Sequence, residues 1–463
     1  YSTGTWPRSR MLWSPRIGFR WDAFGDKTTI IRGGTGLFTG RFPFVWMTNM
    51  PSNSFMYQQG SAITNPAQLA NIRFTTDLNA YRNLFNPTVG AIPNNANIVV
   101  VDPNFVFPQI WRTNLAVDKR FGNGWSISVE GIFTKDINAL RMRNANLREP
   151  DTRLSGSGDN RPAYSNRTNA GRRIYQNINT AIVLENVSRG GGIVLTTQIN
   201  KAFNKGFSAS ASYTYTAAWD ITSNPGSQAT STWQNNPAVG TQNTTDLGMS
   251  GFAIPHRFMA WISYRKEYLK HLATTVTLFY EGRNQGNFSF ITNGDLNGDG
   301  TSSDLMYIPK DRNELIFLPI TGATPWSADA QRDAFEQFIN NSKYLRKRRG
   351  QYAERNAALQ PFIHTVNFQL QQDLFTNIGK RKNTLRLQAD VLNFLNMLNK
   401  NWGHRFVNTF SGNNPLTVAS VSTAGVPSYR MGTIAGQLPT QPFQVSRTLA
   451  STWSAQLGIR YIF

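Results

Sequence analysis

The chain has 463 residues and carries 47 Lys and Arg against 26 Asp and Glu, a formal charge of +21. It has no cysteine, which excludes a disulfide framework and a cysteine metal site. Its apolar runs fall far short of the ~20 residues that a membrane helix needs, yet it holds 30 Phe, 15 Tyr and 12 Trp. Low hydropathy with many aromatics suits strands of which every second residue meets an apolar medium. Length alone allows two or three domains, but no Pro/Ser/Gly linker and no clean repeat divides the chain.

Side chains alternate with period two along a strand, and that period recurs throughout the sequence. Ile17, Phe19 and Trp21 alternate with Arg16, Gly18 and Arg20, and a Gly-rich, less regular strand follows at Thr28–Gly40. Leu115 and Val117 alternate with Asn114 and Asp118, and Trp125, Ile127, Val129 and Phe133 with Ser126, Ser128 and Glu130. Ile193, Leu195 and Ile199 oppose Thr196, Gln198 and Asn200, and Phe207 to Tyr215 alternates with Ser208 to Thr216. Phe258, Ala260, Ile262 and Tyr264 oppose Arg257, Ser263 and Arg265, followed by Val276, Leu278 and Tyr280 against Thr275, Thr277 and Glu281. Val366, Phe368 and Leu370 alternate with Asn367, Gln369 and Gln371, and Leu385 to Val391 with Arg386, Gln388 and Asp390. With a terminal strand, the count is about eleven.

The connections come in two sizes. Asp22–Lys27, Phe121–Gly124, Asn204–Gly206, Tyr268–His271 and Asn377–Lys382 are tight and carry Gly, Asn and charges that suit turns. Between them lie segments of about 65 residues from Arg41, 50 from Asn138, 35 from Asp220, 70 from Ile291 and 50 from Met397. Short and long alternate strictly, as the periplasmic turns and external loops of outer-membrane barrels do. The fold class expected is therefore all-β, a single antiparallel transmembrane β-barrel domain over residues 1–463.

The terminal strand puts Trp453, Ala455, Leu457, Ile459, Tyr461 and Phe463 on one face and Ser454, Gln456, Gly458 and Arg460 on the other. An aromatic last residue on such a strand resembles the C-terminal signal of bacterial outer-membrane barrels. That resemblance implies that Ile459, Tyr461 and Phe463 address the barrel-assembly machinery. A soluble sheet edge also produces the alternation, but it has less reason to end on a bare Phe.

Several segments, in order, resemble TonB-dependent outer-membrane receptors of the Oar-like branch. They are Trp13-Ser-Pro-Arg-Ile-Gly-Phe-Arg-Trp-Asp22, Thr29-Ile-Ile-Arg-Gly-Gly-Thr-Gly-Leu-Phe-Thr-Gly-Arg41, Phe42-Pro-Phe-Val-Trp46 and Ile254-Pro-His-Arg-Phe258. Asn293-Gly-Asp-Leu-Asn-Gly-Asp-Gly300, Gly350-Gln-Tyr-Ala-Glu-Arg-Asn356 and Ala389-Asp-Val-Leu-Asn-Phe-Leu-Asn396 with Leu398-Asn-Lys-Asn-Trp-Gly403 continue the set. The resemblance implies a 22-stranded barrel around an N-terminal plug. By that resemblance, the eleven strands would be its C-terminal half. No plug and no TonB box are evident, and the chain opens at Tyr1 without an export signal. The expectation is a fragment of a longer protein, whose missing plug would be the partner of TonB.

Four features carry candidate chemistry. Asp295, Asn297 and Asp299 at alternate positions, Gly300 at the sixth and Asp304 at the tenth resemble the start of a calcium loop, against the plainer reading of an Asx/Gly turn. Arg346, Lys347, Arg348 and Arg349 form the one basic cluster, after an amphipathic stretch, Ser327–Leu345, that predicts a short external helix. A basic rim there would meet lipopolysaccharide or steer an anionic ligand, with a solvated loop as the alternative. Arg41, Phe44 and Trp46 stand in an external loop as ligand contacts or as loop packing, and His256 is expected in a strand-end hydrogen bond.

The arginines are spread through loops and inward strand faces, which argues against nucleic acid as partner. No Ser/His/Asp set, HExxH, P-loop or carboxylate pair points to an enzyme. The reading is an outer-membrane TonB-dependent receptor barrel for substrate uptake, with no cofactor beyond a calcium ion in the external loop. A surface adhesin or receptor, a secreted carbohydrate-binding β-protein and a passive porin are the alternatives.

Overall fold

The computed structural model describes residues 1–56, 63–84, 95–269, 271–378 and 381–463. Its main feature is one antiparallel meander of eleven long strands, each paired with the next in sequence. They are β1 (Arg16–Asp22), β2 (Thr29–Thr39), β3 (Gln109–Arg120), β4 (Trp125–Asp136), β5 (Gly191–Asn204) and β6 (Phe207–Asp220). The meander continues with β7 (His256–Tyr268), β8 (Leu272–Asn284), β9 (Phe362–Ile378), β10 (Arg381–Leu392) and β11 (Ser454–Ile462). All eleven expected strands are present. Among the described residues β1 pairs only with β2, and β11 only with β10.

Register sorts the side chains as the period requires. Val117 lies opposite Val129, Leu115 opposite Gly131 and Thr113 opposite Phe133. Across the next pairs Phe133 meets Ile193 and Ile127 meets Ile199, then Ile262 meets Leu278 and Leu387 meets Ile459. These residues form one exposed apolar face that continues to the terminal strand, where Leu457 is 84% exposed. A one-residue slip in any pair would bring polar side chains onto that face, so the face itself pins the register.

The opposite face is a polar ladder. Arg32 lies 2.9 Å from Asp118 and 3.4 Å from Glu130, which also accepts from Asn114 at 3.0 Å. Asp373 binds Arg265 at 2.8 Å and Arg386 at 2.6 Å. Gln369 donates to Asp390 at 2.7 Å, and Gln371 to Gln388 at 3.1 Å. Charges on this face find partners across strands.

At one end the strands turn tightly. Gly206 sits at φ +87°, and a Cβ there would lie 2.2 Å from the Arg265 carbonyl, so this turn requires glycine. Parts of the expected turns at Tyr268–His271 and Asn377–Lys382 lie outside the described residues.

At the other end the long loops fold together, which the sequence reading did not foresee. Ala96–Val101, Ile178–Val187 and Ala139–Asn144 make a three-stranded sheet. It packs with Phe42, Trp46, Met47, Met50 and Trp233 in one core. A second core joins three loops through Leu154, Phe290, Met306, Phe338 and Tyr429. The run Ile98-Val-Val-Val101 is apolar without alternation because both of its faces are largely buried, and so it shows no period. The helix Ala328–Asn341 falls inside the expected amphipathic stretch and buries Ala334, Phe335, Phe338 and Ile339.

The exposed apolar face should meet lipid. Val129→Arg should lower unfolding stability in phospholipid vesicles by about 2–4 kcal/mol. Ser128→Arg, one residue away on the polar face, should change it by less than about 1 kcal/mol. Equal losses on urea titration would reject the facing.

Candidate functional site

The loop cap holds the chemistry that the wall does not. Its centre is a fully buried ion triad. Arg161 donates through Nε to both oxygens of Asp159, at 2.9 and 3.1 Å, through Nη1 to Asp304 at 3.2 Å and through Nη2 to the Leu305 carbonyl at 2.8 Å. The side chains of Arg161, Asp159 and Asp304 have no solvent exposure. Tyr352 donates to Asp159 at 3.1 Å, and its ring lies 5.3 Å from the guanidinium carbon. One cation thus serves two buried carboxylates, and burial pushes the Asp304 carboxyl well above its ordinary range despite Arg161.

The Asp295 loop wraps around this triad. Asp295 accepts from the backbone of Gly298 at 2.7 Å and Gly300 at 2.9 Å. Asn297 accepts from Asp299 N at 3.0 Å, and Asp299 from Thr301 N at 2.8 Å. Asp304 accepts from Leu296 N at 2.9 Å. Besides Arg161, two more guanidinium groups stand against this loop: Arg172 is 3.9 Å from Asp295, and Arg167 donates to the carbonyls of Asp295 and Leu296. Burial first, and then the neighbouring Asp295, push the Asp299 carboxyl up to about 6. Among the described residues no group of three or more His, Asp or Glu is arranged to hold a metal ion.

The other expected site residues divide by burial. Trp46 is 3% exposed and belongs to a loop core, while Phe44 lies on the surface against Phe42 and Phe107. Arg41 and Arg346 are exposed. Arg348 pairs with Glu354 at 3.0 Å and lies over the Tyr344 ring, and Arg349 grips Glu336 through both Nη atoms and donates to Asn340 at 2.9 Å. The basic cluster is therefore half surface and half internal cross-link. His256 bonds Tyr213 at 2.8 Å at the start of β7, the strand-end contact expected of it. On β11, Ile459 and Tyr461 lie on the exposed apolar face, and the rings of Tyr461 and Phe463 stack at 6.0 Å.

Sequence reasoning missed Arg161 and Asp159, because Arg161 meets Asp304 across 143 residues and Asp159 meets Tyr352 across 193, in each case on another loop. It also missed the role of Arg355. This buried side chain binds Asn236 at 3.0 Å and Asp220 at 3.1 Å, and reaches the carbonyls of Asp220 and Ile221. Its neighbour Asn356 donates to the Met249 carbonyl at 3.0 Å. The segment Gly350–Asn356 thus ties one loop to the rim of another.

An antiparallel meander with an apolar outer face, a polar inner face, tight turns at one end and folded loops at the other is the wall of a transmembrane β-barrel. The chain belongs to the outer membrane beta barrel domain family, whose model matches residues 1–444, and is an outer-membrane protein. No curated protein matches it. Among solved structures it is similar to a mutant of the ferric enterobactin receptor PfeA from Pseudomonas aeruginosa, with 9% identity and a TM-score of 0.38 over 97% of this chain and 39% of that one. The outer membrane transporter YddB from Escherichia coli gives 11% identity and a TM-score of 0.36 over 96% and 40%. The CymD monoaromatic hydrocarbon channel gives 8% identity and a TM-score of 0.21 over 82% and 74%.

The Asp299 carboxyl sets a pH dependence. Its folded value lies above its unfolded one, so it favours the cap below the ordinary carboxylate range, and that contribution is lost as pH rises through about 6. Resistance of the cap to trypsin-independent unfolding, read by hydrogen exchange at Thr301 and Leu305, should fall between pH 4.5 and 7, roughly 1–2 kcal/mol in all. Asp299→Asn should flatten that profile, and an unchanged slope would reject the assignment.

Proposed function

We propose that the chain is the C-terminal barrel half of a TonB-dependent receptor of the Oar-like branch and serves substrate uptake across the outer membrane. One observation carries the reading. Strands in a meander alternate in direction, so β1 and β11 run the same way, and each has one free edge among the described residues. In hydrocarbon those edges require partners. Bacterial single-chain barrels supply them with an even, antiparallel set, which another odd group of strands would complete. Residues 1–463 form one barrel domain in this reading.

The folded cap recognises the substrate, and Arg41, Phe44 and Arg346 are its exposed candidate contacts. Ile459, Tyr461 and Phe463 address the assembly machinery, and a plug carries the link to TonB. No side-chain set in this reading performs catalysis. A surface receptor that transports nothing is the second reading, supported by Arg348 and Arg349, whose ion pairs stiffen the cap into a display surface.

Calcium at Asp295, Asn297, Asp299 and Asp304 is part of the proposal. A buried Asp299 carboxyl whose charge is disfavoured is the feature a divalent ion would relieve. Calcium should then slow proteolysis of this loop in the unmodified protein and not in Asp299→Ala. Equal cleavage with calcium and with chelator removes the ion from the reading.

Uptake is tested in cells expressing the parent gene, supplied with a mixture of iron chelates, cobalamin, peptides and glycans. Depletion of one component should require TonB and stop on de-energisation, while surface binding persists. Binding without energy-dependent depletion gives the surface-receptor reading instead.

A further inference from the structure

The outer face of the wall carries a built cavity at its loop end. On β9, Phe362 and His364 share a face with Val366, Phe368 and Leu370, and Leu370 is among the exposed apolar residues. Phe362 lies against the exposed ring of Phe258 at 6.3 Å, and His364 Nδ1 bonds Tyr280 at 2.9 Å. After β10 the chain turns at Asn393, in the left-handed region at φ +53°, and enters the short helix Phe394–Leu398. Phe394 stacks on Phe368 at 5.3 Å, which places this helix against the lipid-facing side of β9. Asn393 holds the Gly403 carbonyl at 3.0 Å, Asn396 the Trp402 carbonyl at 2.8 Å, and Gln285 accepts from Phe406 N at 2.8 Å.

These contacts leave a cavity of about 450 Å³ between strand and segment, lined by Phe362, His364, Leu395, Trp402, His404 and Phe406, among others. No Asp or Glu lines it. Trp402, Met397 and Leu398 are exposed beside it. His404 Nε2 bonds the Lys400 carbonyl at 2.6 Å. Each histidine thus engages one ring nitrogen in these bonds and keeps the second outside them. Lys400 is itself exposed.

We propose that this cavity binds an outer-leaflet phosphorylated glycolipid, the lipid A part of lipopolysaccharide. The occupant follows from continuity with an interface already described. The cavity opens on the membrane side of the wall, at the end that carries the long external loops, and so at the level of the outer leaflet. There it meets lipid rather than a soluble ligand. Phe362, Leu395, Trp402 and Phe406 form an apolar slot for an acyl chain. His364 and His404 in the lining, with the exposed Lys400 on the adjoining segment, offer nitrogen donors without a competing carboxylate in the lining, and phosphate oxygens accept such bonds. A lipid without phosphate would fill the slot but leave these donors without a phosphate partner.

The test uses the full chain purified from outer membranes in detergent, with bisphosphorylated lipid A as probe and native mass spectrometry as readout. Lipid A should bind at one site, and removal of its phosphates or the double substitution His364→Ala, His404→Ala should weaken binding about tenfold or more. Leu395→Trp, which fills the slot and leaves the histidines, should weaken it as well. His256→Ala, on the same outer face and outside the cavity, should leave binding unchanged, and heat-modifiable mobility confirms the fold of each variant. Equal binding of phosphatidylglycerol and lipid A would overturn the proposal, as would unchanged binding in both cavity variants. A photocrosslinker at Trp402 that captures a protein in intact membranes instead of the glycolipid would also overturn it.

Discussion

Backbone polar groups cannot be left open in hydrocarbon, and this constraint orders the whole molecule. Each N–H and C=O of a spanning strand must meet a neighbouring strand, because no water is there to replace it. Eleven strands joined in sequence order meet that demand along most of their length, and among the described residues β1 and β11 each keep one open edge. The demand also explains why the pattern is strict. Pairing fixes register, register fixes which side chains meet lipid, and a slip would expose Arg32, Asp118 or Asp373 on the wrong face.

The wall in turn makes the cap possible. It holds the ends of the long loops side by side, so segments far apart in sequence meet at little further entropic cost. Leu154, Phe290 and Tyr429 come from three loops and pack in one core. The triad of Asp159, Arg161 and Asp304 lies within the same region and specifies how two of those loops meet. Buried ion triads are poor sources of net stability, but leaving one partner out strands a charge. The same logic applies to Arg355, which satisfies carbonyls on a loop rim that the sheet no longer reaches.

The candidate ligand contacts show how burial separates residues that look alike in sequence. Phe44 and Trp46 stand two positions apart in one apolar cluster, yet one lies on the surface and the other in a core. Arg346 and Arg349 belong to one basic run, yet the first is exposed and the second is bound to Glu336. Composition cannot make these distinctions, because each depends on a partner from elsewhere in the chain.

The sequence by itself determined the wall: eleven strands, their facing and the strict alternation of turns and loops were all legible. The reason is local. A strand between two media must alternate, so its environment is written into consecutive residues such as Leu385 to Val391. The helix at Ala328–Asn341 was legible for the same reason, one apolar stripe at helical spacing. Only the tertiary structure decided the cap. The strand Ala96–Val101 is largely buried on both faces and shows no period, and Arg161 finds Asp304 across 143 residues that carry no mark of the pairing. Contacts between distant loops depend on where the wall places their ends, and no window of neighbouring residues contains that information.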